Sequence, residues 1–291
     1  DIHALANAPD EAVFKAWEGL GYYSRCRNLI STARFISREL KGIFPREYHS
    51  ILALKGVGTY TAAAIASFAY NLPYAVLDGN VFRVLSRIFG IETPVDSAAG
   101  KKEFASLAQS ILPAEHSAEY NQAIMDFGAL VCKPQPECNF CFFSQHCEAF
   151  ASGKQDLLPV KEKKTGIKQR WLNYFVLLCK DEVVIHRRQS KDIWKDLHEF
   201  VLIETQTDIS LDTLSELFEK QYGIHSYRIA GVKTARQKLT HQAIELRFLF
   251  VHLDSKKEIA HLDWVKKQDL AGYAFPKSLK EIVDSDLVSA R

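Results

Sequence analysis

Four cysteines lie close together in one short segment of the chain. Cys132, Cys138, Cys141 and Cys147 follow a predicted helix with the spacing C-x5-C-x2-C-x5-C. Four thiolates in a compact loop suit either a tetrahedral zinc ion or a four-iron, four-sulfur cluster. Structural zinc sites more often use two close cysteine pairs separated by a longer stretch, whereas this segment has one close pair flanked by single cysteines. The spacing therefore favours the iron-sulfur cluster over zinc.

A second candidate site is the segment LKGVGTYTAAAIASFAY, Leu54 to Tyr70. Gly56 and Gly58 stand between two predicted helices, where glycine permits positive φ and lets backbone N–H groups approach another molecule. Outward-facing amides at a helix N-terminus bind anions such as phosphate. An ordinary tight turn between helices is the alternative. The hydroxyls of Thr59 and Thr61, and the alanine-rich helix that follows, favour the phosphate site.

The segment VLDGNVFRVLSRIFG supplies a carboxylate at the edge of a predicted core. Asp78 follows an apolar run and precedes a Gly-Asn turn and an amphipathic helix. Asp78 or Asn80 could simply cap the helix that begins at Val81. A carboxylate in a partly dry cleft can instead stabilise a developing positive charge. Both interpretations stay open on these residues alone.

The composition is that of a globular protein with more than one domain. The chain has 291 residues, a hydrophobic content of 47% and a formal net charge of +2. This length predicts about two domains of roughly 150 residues each. No window approaches the roughly 18 apolar residues of a membrane span, and the first residues do not resemble a signal peptide. We therefore expect an intracellular protein that does not enter a membrane.

The hydrophobic periodicity changes part-way along the chain. Helical periodicity comes first, in segments separated by short Gly/Pro breaks: Ala12 to Leu20, Leu29 to Leu40, Tyr48 to Leu54, Thr61 to Ala69, Val81 to Phe89, Phe104 to Ile111 and Asn121 to Leu130. Strand-like runs follow, with one amphipathic helix at Leu211 to Tyr222: LNYFVLLC, EVVIHRR, EFVLIET and AIELRFLFVHL. An all-α domain is therefore predicted to precede an α+β domain.

A basic segment separates the two patterns. Gly153 to Arg170 holds six basic and two acidic residues, with no apolar periodicity. We interpret residues 151–170 as a solvated linker, with contact to phosphate as the alternative.

Taken together, these motifs resemble a known family. LKGVGTYTA, VLDGNVFRV and the cysteine loop are similar to the helix-hairpin-helix DNA glycosylases that carry an iron-sulfur cluster. The upstream segment LANAPDEAVFKAWEGLGYYSRCRNL resembles the MutY-type adenine glycosylases, and the β-rich part resembles their Nudix-like domain. The resemblance implies a helical glycosylase domain at 1–131, a cluster loop at 132–150 and a Nudix-like 8-oxoguanine recognition domain at 171–291.

The resemblance also implies roles for three candidate catalytic residues. Endonuclease III has a Schiff-base lysine where this chain has Tyr60, which cannot form that covalent bond. The chain is thus expected to be monofunctional, hydrolysing the N-glycosidic bond of adenine without cleaving the strand. Asp78 would stabilise the positive sugar, while Tyr60 and Asn80 would line the same pocket. The implied substrate is double-stranded DNA in which adenine is paired with 8-oxoguanine or guanine.

Two further contacts with DNA follow from the resemblance. Tyr22 corresponds to an aromatic residue that wedges into the base stack, although an interior tyrosine is the alternative. Leu239, Thr240 and His241 correspond to a Phe-Ser-His loop that contacts 8-oxoguanine, with a turn at a strand entry as the alternative. Leucine in place of phenylalanine removes an aromatic side chain, and threonine keeps a hydroxyl.

One family feature is missing from the sequence. MutY-type enzymes use a glutamate within a Glu-x-x-Leu-Gln-Gln-Thr-like motif to protonate adenine, and these 291 residues do not contain that motif. We expect an N-terminally incomplete chain with little or no glycosylase activity. The alternative is a non-catalytic binder of 8-oxoguanine-containing DNA or of repair partners. The implied setting is a monomer in the cytoplasm, at the nucleoid if the source is bacterial.

Overall fold

The computed structural model describes residues 1–162 and 166–288, which form two compact units. Asp1–Arg34 belongs to the same unit as the described residues beyond 165, and the other unit extends from Phe35 to residue 162. The predicted helical domain, by contrast, placed all of residues 1–131 together. The grouping differs because apolar side chains near the N-terminus enter the core of the C-terminal sheet.

Helices dominate the first half of the chain and strands the second. The helices are α1 Ile2–Asn7, α2 Asp10–Ala16, α3 Tyr23–Arg38, α4 Tyr48–Leu52, α5 Thr59–Tyr70, α6 Gly79–Ile88, α7 Ala98–Ser110, α8 Ser117–Leu130, α9 Glu148–Ala151, α10 Leu211–Tyr222 and α11 Lys277–Ile282. The strands are β1 Lys168–Cys179, β2 Glu182–Arg187, β3 His198–Glu199, β4 Val201–Thr205, β5 Arg228–Lys238, β6 Gln242–His252 and β7 Asp263–Lys266. The predicted order of an all-α part followed by an α+β part is confirmed.

Small side chains let the helices of the Phe35–162 unit approach one another closely. Ala62 and Ala66 of α5 are fully buried beside Ile51 of α4. In a second cluster, Val81 and Leu85 on the apolar face of α6 pack with Phe104 of α7. Helix α6 is thereby fixed on one side, and its first turn carries the Asp78 motif.

The described strands of the C-terminal unit form one mixed sheet. The strand order is β3-β2-β1-β6-β5, with β4 also paired to β1 and β7 to β2. The central strands β1 and β6 run parallel, from Lys168 beside Gln242 to Leu178 beside His252. Both are largely buried, as expected for strands covered on two faces. Helix α10 covers one face through Leu214 and Phe218.

The N-terminal helices pack on the other face of this sheet. Val13 and Phe14 of α2 are buried in the same cluster as the sheet residue Leu246. Polar contacts complete the packing: the Phe275 backbone N–H donates to Glu18 Oε1 over 2.8 Å. Burial of these side chains accounts for the grouping of residues 1–34 with the C-terminal unit.

Two predictions about local structure are wrong. The helix predicted to continue to Leu20 ends at Ala16, because Gly19 and Gly21 follow with φ of 89° and 69°. The predicted solvated linker is packed over part of its length. Leu158 is 3% exposed, and Val160 O accepts a hydrogen bond of 3.0 Å from the Val95 N–H. The linker residues 163–165 lie outside the described residues, and β1 already begins at Lys168.

Candidate active site and cysteine loop

Asp78 is the helix cap that its sequence context suggested, and its carboxylate keeps acceptor capacity. It is the N-cap of α6, with Oδ1 accepting from the Val81 backbone N–H over 2.8 Å. Its other oxygen, Oδ2, accepts from Asn80 Nδ2 over 3.0 Å. The carboxylate is half-buried and each oxygen has one hydrogen bond. Because a carboxylate can accept about four hydrogen bonds, Asp78 keeps capacity to stabilise a cation.

A hydrogen-bonded chain connects Asp78 to the cysteine loop. Asn80 Oδ1 accepts from an Arg83 Nη atom over 2.8 Å. The Arg83 guanidinium also donates to Gly128 O and to Cys132 O, each over 2.7 Å. Burial, followed by the neighbouring Arg87, lowers the pKa of Arg83 below its ordinary value. The orientation of the Asn80 amide, and through it of Asp78, therefore depends on the position of Cys132.

Arg87, one turn further along α6, holds the cysteine loop directly. Its guanidinium is 3% exposed and donates to the carbonyls of Lys133 and Pro134 over 2.6 and 2.9 Å. One Nη atom lies 3.4 Å from Cys132 Sγ. On the same helix, Arg87 O accepts from Cys147 Sγ over 3.3 Å. The last turn of α6 thus fixes both ends of the loop and places positive charge beside a thiol.

The cysteine side chains face one shared cavity. Cys132, Cys138, Cys141 and Cys147 all line one small cavity. Burial raises the pKa of Cys138, as do the nearby thiols of Cys147 and Cys132.

The four thiols are the donor set that both predicted cofactors require. Within residues 1–162 and 166–288, no group of three or more His, Cys, Asp or Glu side chains converges closely enough to hold a metal ion.

The glycine hairpin presents free backbone amides. Gly56 has φ of 82°, as expected, whereas Gly58 is extended at φ of −92° and is the N-cap of α5. No side chain caps α5. Gly58 and Thr59 are exposed, and Thr61 is partly exposed. The uncapped N-terminus of a long helix, with hydroxyls beside it, has the properties of a phosphate site.

Tyr60 lies at the mouth of an open cleft in the helical unit. The cleft has a volume of about 610 Å³. Leu77, next to Asp78, lines it together with the stacked rings of Tyr48 and Tyr74, whose centroids are 4.1 Å apart. Tyr60 is 42% exposed. The hairpin and Leu77 therefore contribute to one concave surface with an aromatic wall, and Asp78 and Asn80 themselves do not line it.

Tyr22 belongs to the other compact unit and has an unusual backbone conformation. Its φ is 48°, which is rare for a bulky residue. The side chain is 72% exposed, and the Arg25 guanidinium lies 5.3 Å from the ring centroid. The alternative of an interior tyrosine is wrong, because this ring is held in solvent.

Leu239, Thr240 and His241 form the turn between β5 and β6. Leu239 N–H donates to Gln242 O over 2.7 Å, which closes a hairpin with Thr240 and His241 at its exposed tip. Leu239 packs against the sheet core. The turn expected from the sequence is present, and its polar tip is accessible to a ligand.

Two family models match the chain. The HhH-GPD superfamily of base excision DNA repair proteins matches residues 1–112, and a NUDIX domain matches residues 173–285. "Adenine DNA glycosylase" of Buchnera aphidicola subsp. Acyrthosiphon pisum is 27% identical over 98% of this chain and 81% of its own length. The chain is therefore similar to adenine DNA glycosylases over almost its whole length. The resemblance and the fold class predicted from the sequence are therefore confirmed.

Further relatives match shorter regions of the chain. "Adenine DNA glycosylase" of Buchnera aphidicola subsp. Baizongia pistaciae is 36% identical over 72% of this chain, which spans 60% of that protein. The human "Adenine DNA glycosylase" is 42% identical over 57% of this chain and 31% of its own length.

Within the described residues, no helix is both long and apolar enough to cross a membrane.

The sequence-based predictions missed three residues of the candidate site. Arg83 and Arg87 were not singled out, although arginines four apart on a helix project from the same face. Gly128 was missed as well: a Cβ at this position would lie 2.7 Å from Asn80 Cβ. Helices α6 and α8 approach so closely only because residue 128 lacks a side chain.

Proposed function

We propose that the chain acts in base excision repair as a monofunctional DNA glycosylase, which hydrolyses the N-glycosidic bond of adenine opposite 8-oxoguanine or guanine. The observation that carries this proposal is the Asp78 carboxylate. It is fixed by the Val81 amide and by Asn80, and the preceding Leu77 lines the same cleft as Tyr60, which the resemblance places where endonuclease III has its nucleophilic lysine.

Asp78 would stabilise the positive charge that develops on the sugar. A nucleotide must leave the duplex before a protein carboxylate can reach it, which costs a few kcal/mol. Cleavage of the glycosidic bond then passes through an oxocarbenium-like state, as in glycoside hydrolysis. A fixed carboxylate in a partly dry cleft favours that state at no cost of reorganisation. Asn80 holds Asp78 in place, and Tyr60 provides part of the wall for the extruded base.

The hairpin would hold the DNA backbone while the base is out of the stack. The free amides at the start of α5 and the hydroxyls of Thr59 and Thr61 suit a phosphate group. Gly56 supplies the positive φ that directs the chain into this helix, and Gly58 lacks a side chain that would keep a phosphate away.

The cysteine loop would hold a four-iron, four-sulfur cluster through Cys132, Cys138, Cys141 and Cys147. When bound, the cluster supplies four metal–thiolate bonds that cross-link the loop. Arg87 would offset the negative charge of the thiolates and position the loop carbonyls. Because Arg83 bonds both the loop and Asn80, the positions of Asn80 and Asp78 would then depend on that of the loop.

The opposite base would be recognised by the C-terminal unit. Thr240 and His241 at the exposed β5–β6 turn offer a hydroxyl and an imidazole to a base edge, and Leu239 anchors the turn. Tyr22, exposed on a rigid backbone, would stack between bases.

A second candidate function is selective binding with slow or no base release. Within the described residues, the hydrogen-bonded chain around Asp78 contains no second carboxylate. Enzymes that cleave glycosidic bonds commonly use a carboxylic acid to protonate the leaving group in addition to the stabilising carboxylate. The second candidate predicts that release by this chain is slow relative to its binding.

Single-turnover adenine release distinguishes these functions. The chain, in excess over DNA, is incubated with duplexes carrying adenine opposite 8-oxoguanine, guanine or thymine. Adenine release and strand breaks are quantified separately, together with the affinity for each duplex. We expect release opposite 8-oxoguanine or guanine without strand breaks. Selective binding without release would support the second candidate, and release opposite thymine at the same rate would contradict both.

A further inference from the structure

One end of the sheet carries exposed lysines around the β5–β6 turn. Lys238 is the last residue of β5, and the turn residues Thr240 and His241 follow it. Lys168 is the first residue of β1, and its backbone N–H donates to His241 O over 2.9 Å. Lys168 and Lys238 therefore flank the turn from the two strands that border β6.

A third lysine reaches the same end of the sheet from helix α11. Ser278 Oγ donates to Gln237 Oε1 over 2.7 Å, and Gln237 directly precedes Lys238 in β5. The residue before Ser278 is the exposed Lys277. Three exposed lysines thus surround the turn, and we call them the basic rim: Lys168, Lys238 and Lys277.

The charge of the basic rim is not neutralised by the protein. Within the described part of the chain, the three side chains form no ion pair and no hydrogen bond. Acidic residues on the adjoining strands are already paired: Glu245 with Arg236 over 2.8 Å, and Glu204 with Arg170 over 2.7 Å. The rim therefore presents three positive charges that only solvent and counterions balance.

We propose that the basic rim binds the phosphate backbone of duplex DNA on both sides of the nucleotide read by the Thr240–His241 turn. This inference rests on the proposed function. Neighbouring strands lie about 4.8 Å apart, so β1 and β5 are about 10 Å apart across β6. With phosphates about 3.4 Å apart along the axis of one strand, this distance spans about three nucleotides.

The basic rim and the turn would then have different roles in the recognition of DNA. Contacts between lysines and phosphates are independent of base identity, and they fix the register of a protein on the duplex. The hydroxyl and imidazole at the turn are the groups that can distinguish one base edge from another. The rim therefore supplies affinity and orientation, and the turn supplies selectivity for the lesion.

The test is the salt dependence of DNA affinity, measured by fluorescence anisotropy with the full chain. The rim variant is Lys168→Ala, Lys238→Ala and Lys277→Ala combined. Its matched control removes the same charge from exposed lysines elsewhere in the unit: Lys220→Ala, Lys257→Ala and Lys266→Ala. Loss of three phosphate contacts should reduce the slope of log K against log salt by about three, with no change in the control. Equal slopes in the rim and control variants would overturn the proposal.

Two further measurements separate this inference from the proposed function. The slope is determined on duplexes with adenine opposite 8-oxoguanine and opposite thymine. A reduced slope of the rim variant on both duplexes supports phosphate binding by the basic rim, even where the wild type shows neither lesion preference nor adenine release. A combined Lys168→Arg, Lys238→Arg and Lys277→Arg variant should restore the slope. A rim variant that loses lesion preference but keeps the wild-type slope would overturn phosphate binding.

Discussion

The two compact units each contain a polar network, and the networks differ in what they leave unsatisfied. In the helical unit, Asp78, Asn80 and Arg83 are half-buried, and the carboxylate keeps free capacity for a ligand. In the C-terminal unit, Arg188 and Glu199 are 3% and 4% exposed at their side chains and bond each other over 2.6 Å. The Asp78 carboxylate can therefore accept a ligand, whereas the charges of Arg188 and Glu199 are paired with each other in the core.

The largest effect should come from breaking the buried network. Arg188→Met removes the arginine partner of Glu199 in the core and leaves this carboxylate only Tyr174 Oη and His186 Nε2, each at 3.2 Å. Loss of one partner of a buried pair costs about 3–5 kcal/mol. Chemical denaturation should show this loss, and the exposed Arg228→Met should change stability little. A loss below about 1 kcal/mol, the value of surface pairs, would show that the network is not structural.

In the helical network, Arg83→Leu should lower both the stability of the fold and the rate of adenine release. It leaves the carbonyls of Gly128 and Cys132 without their donor, at about 1–3 kcal/mol for each buried group. Adenine release should fall as well, because Asn80 loses its partner. Arg83→Lys keeps the charge but lacks the forked donors, so it should recover only part of the lost stability and part of the lost adenine release. If the Arg83→Leu chain is destabilised but its adenine release is unchanged, the function of Asp78 does not depend on the position of the cysteine loop.

A smaller effect is expected from one added methyl group. Gly128→Ala places a Cβ 2.7 Å from Asn80 Cβ, and overpacking of this kind costs about 1–3 kcal/mol. Release should be slowed by displacement of Asn80 while affinity for DNA is retained. Gly58→Ala is the matched control for stability, since no atom lies within 4 Å of the added group. Wild-type release by Gly128→Ala would show that the site tolerates a shift of α8 against α6.

The smallest effect concerns pH. A hydrogen bond from Arg170 is the main cause that lowers the pKa of Glu204. Burial raises the pKa of Asp192, but Arg188 and Arg170 outweigh burial and leave it below its ordinary value. Folded-state pKa values below the unfolded ones stabilise the fold above the unfolded pKa, and this contribution is lost as the pH falls below about 4. Thermal unfolding of Arg170→Met should therefore depend less on pH in the acid range than that of the wild type. An unchanged pH dependence would contradict the contribution of Arg170.

Local signals in the sequence predicted most of the helical site. The periodicity located α4 to α8 within a few residues at most ends, and the Asp78 turn was recognised from the residues beside it. Arg83 and Arg87 were missed because their partners are carbonyls about 45 residues away in sequence. Hydrogen bonds to the backbone leave no pattern in residue type, so only the fold could identify them.

The C-terminal unit was less predictable because its contacts are long-range. Strand β5 was not predicted: it is an edge strand with many exposed polar residues and a bulge at Gly231, so its apolar alternation is weak. The parallel pairing of β1 with β6 and the packing of α2 on the sheet also depend on contacts between distant segments. Hydrophobic patterns identify which residues are buried, but they do not identify the partner of each one.

Single-turnover adenine release by the Asp78→Asn chain tests the central claim most directly. The amide keeps the shape and can still accept from Val81, but it removes the negative charge. Asp126→Asn, at an exposed carboxylate on α8, is the control. We expect Asp78→Asn to bind the duplex with adenine opposite 8-oxoguanine and to release adenine at least about 100-fold more slowly than the wild type. Equal release by Asp78→Asn and the wild type would contradict the account.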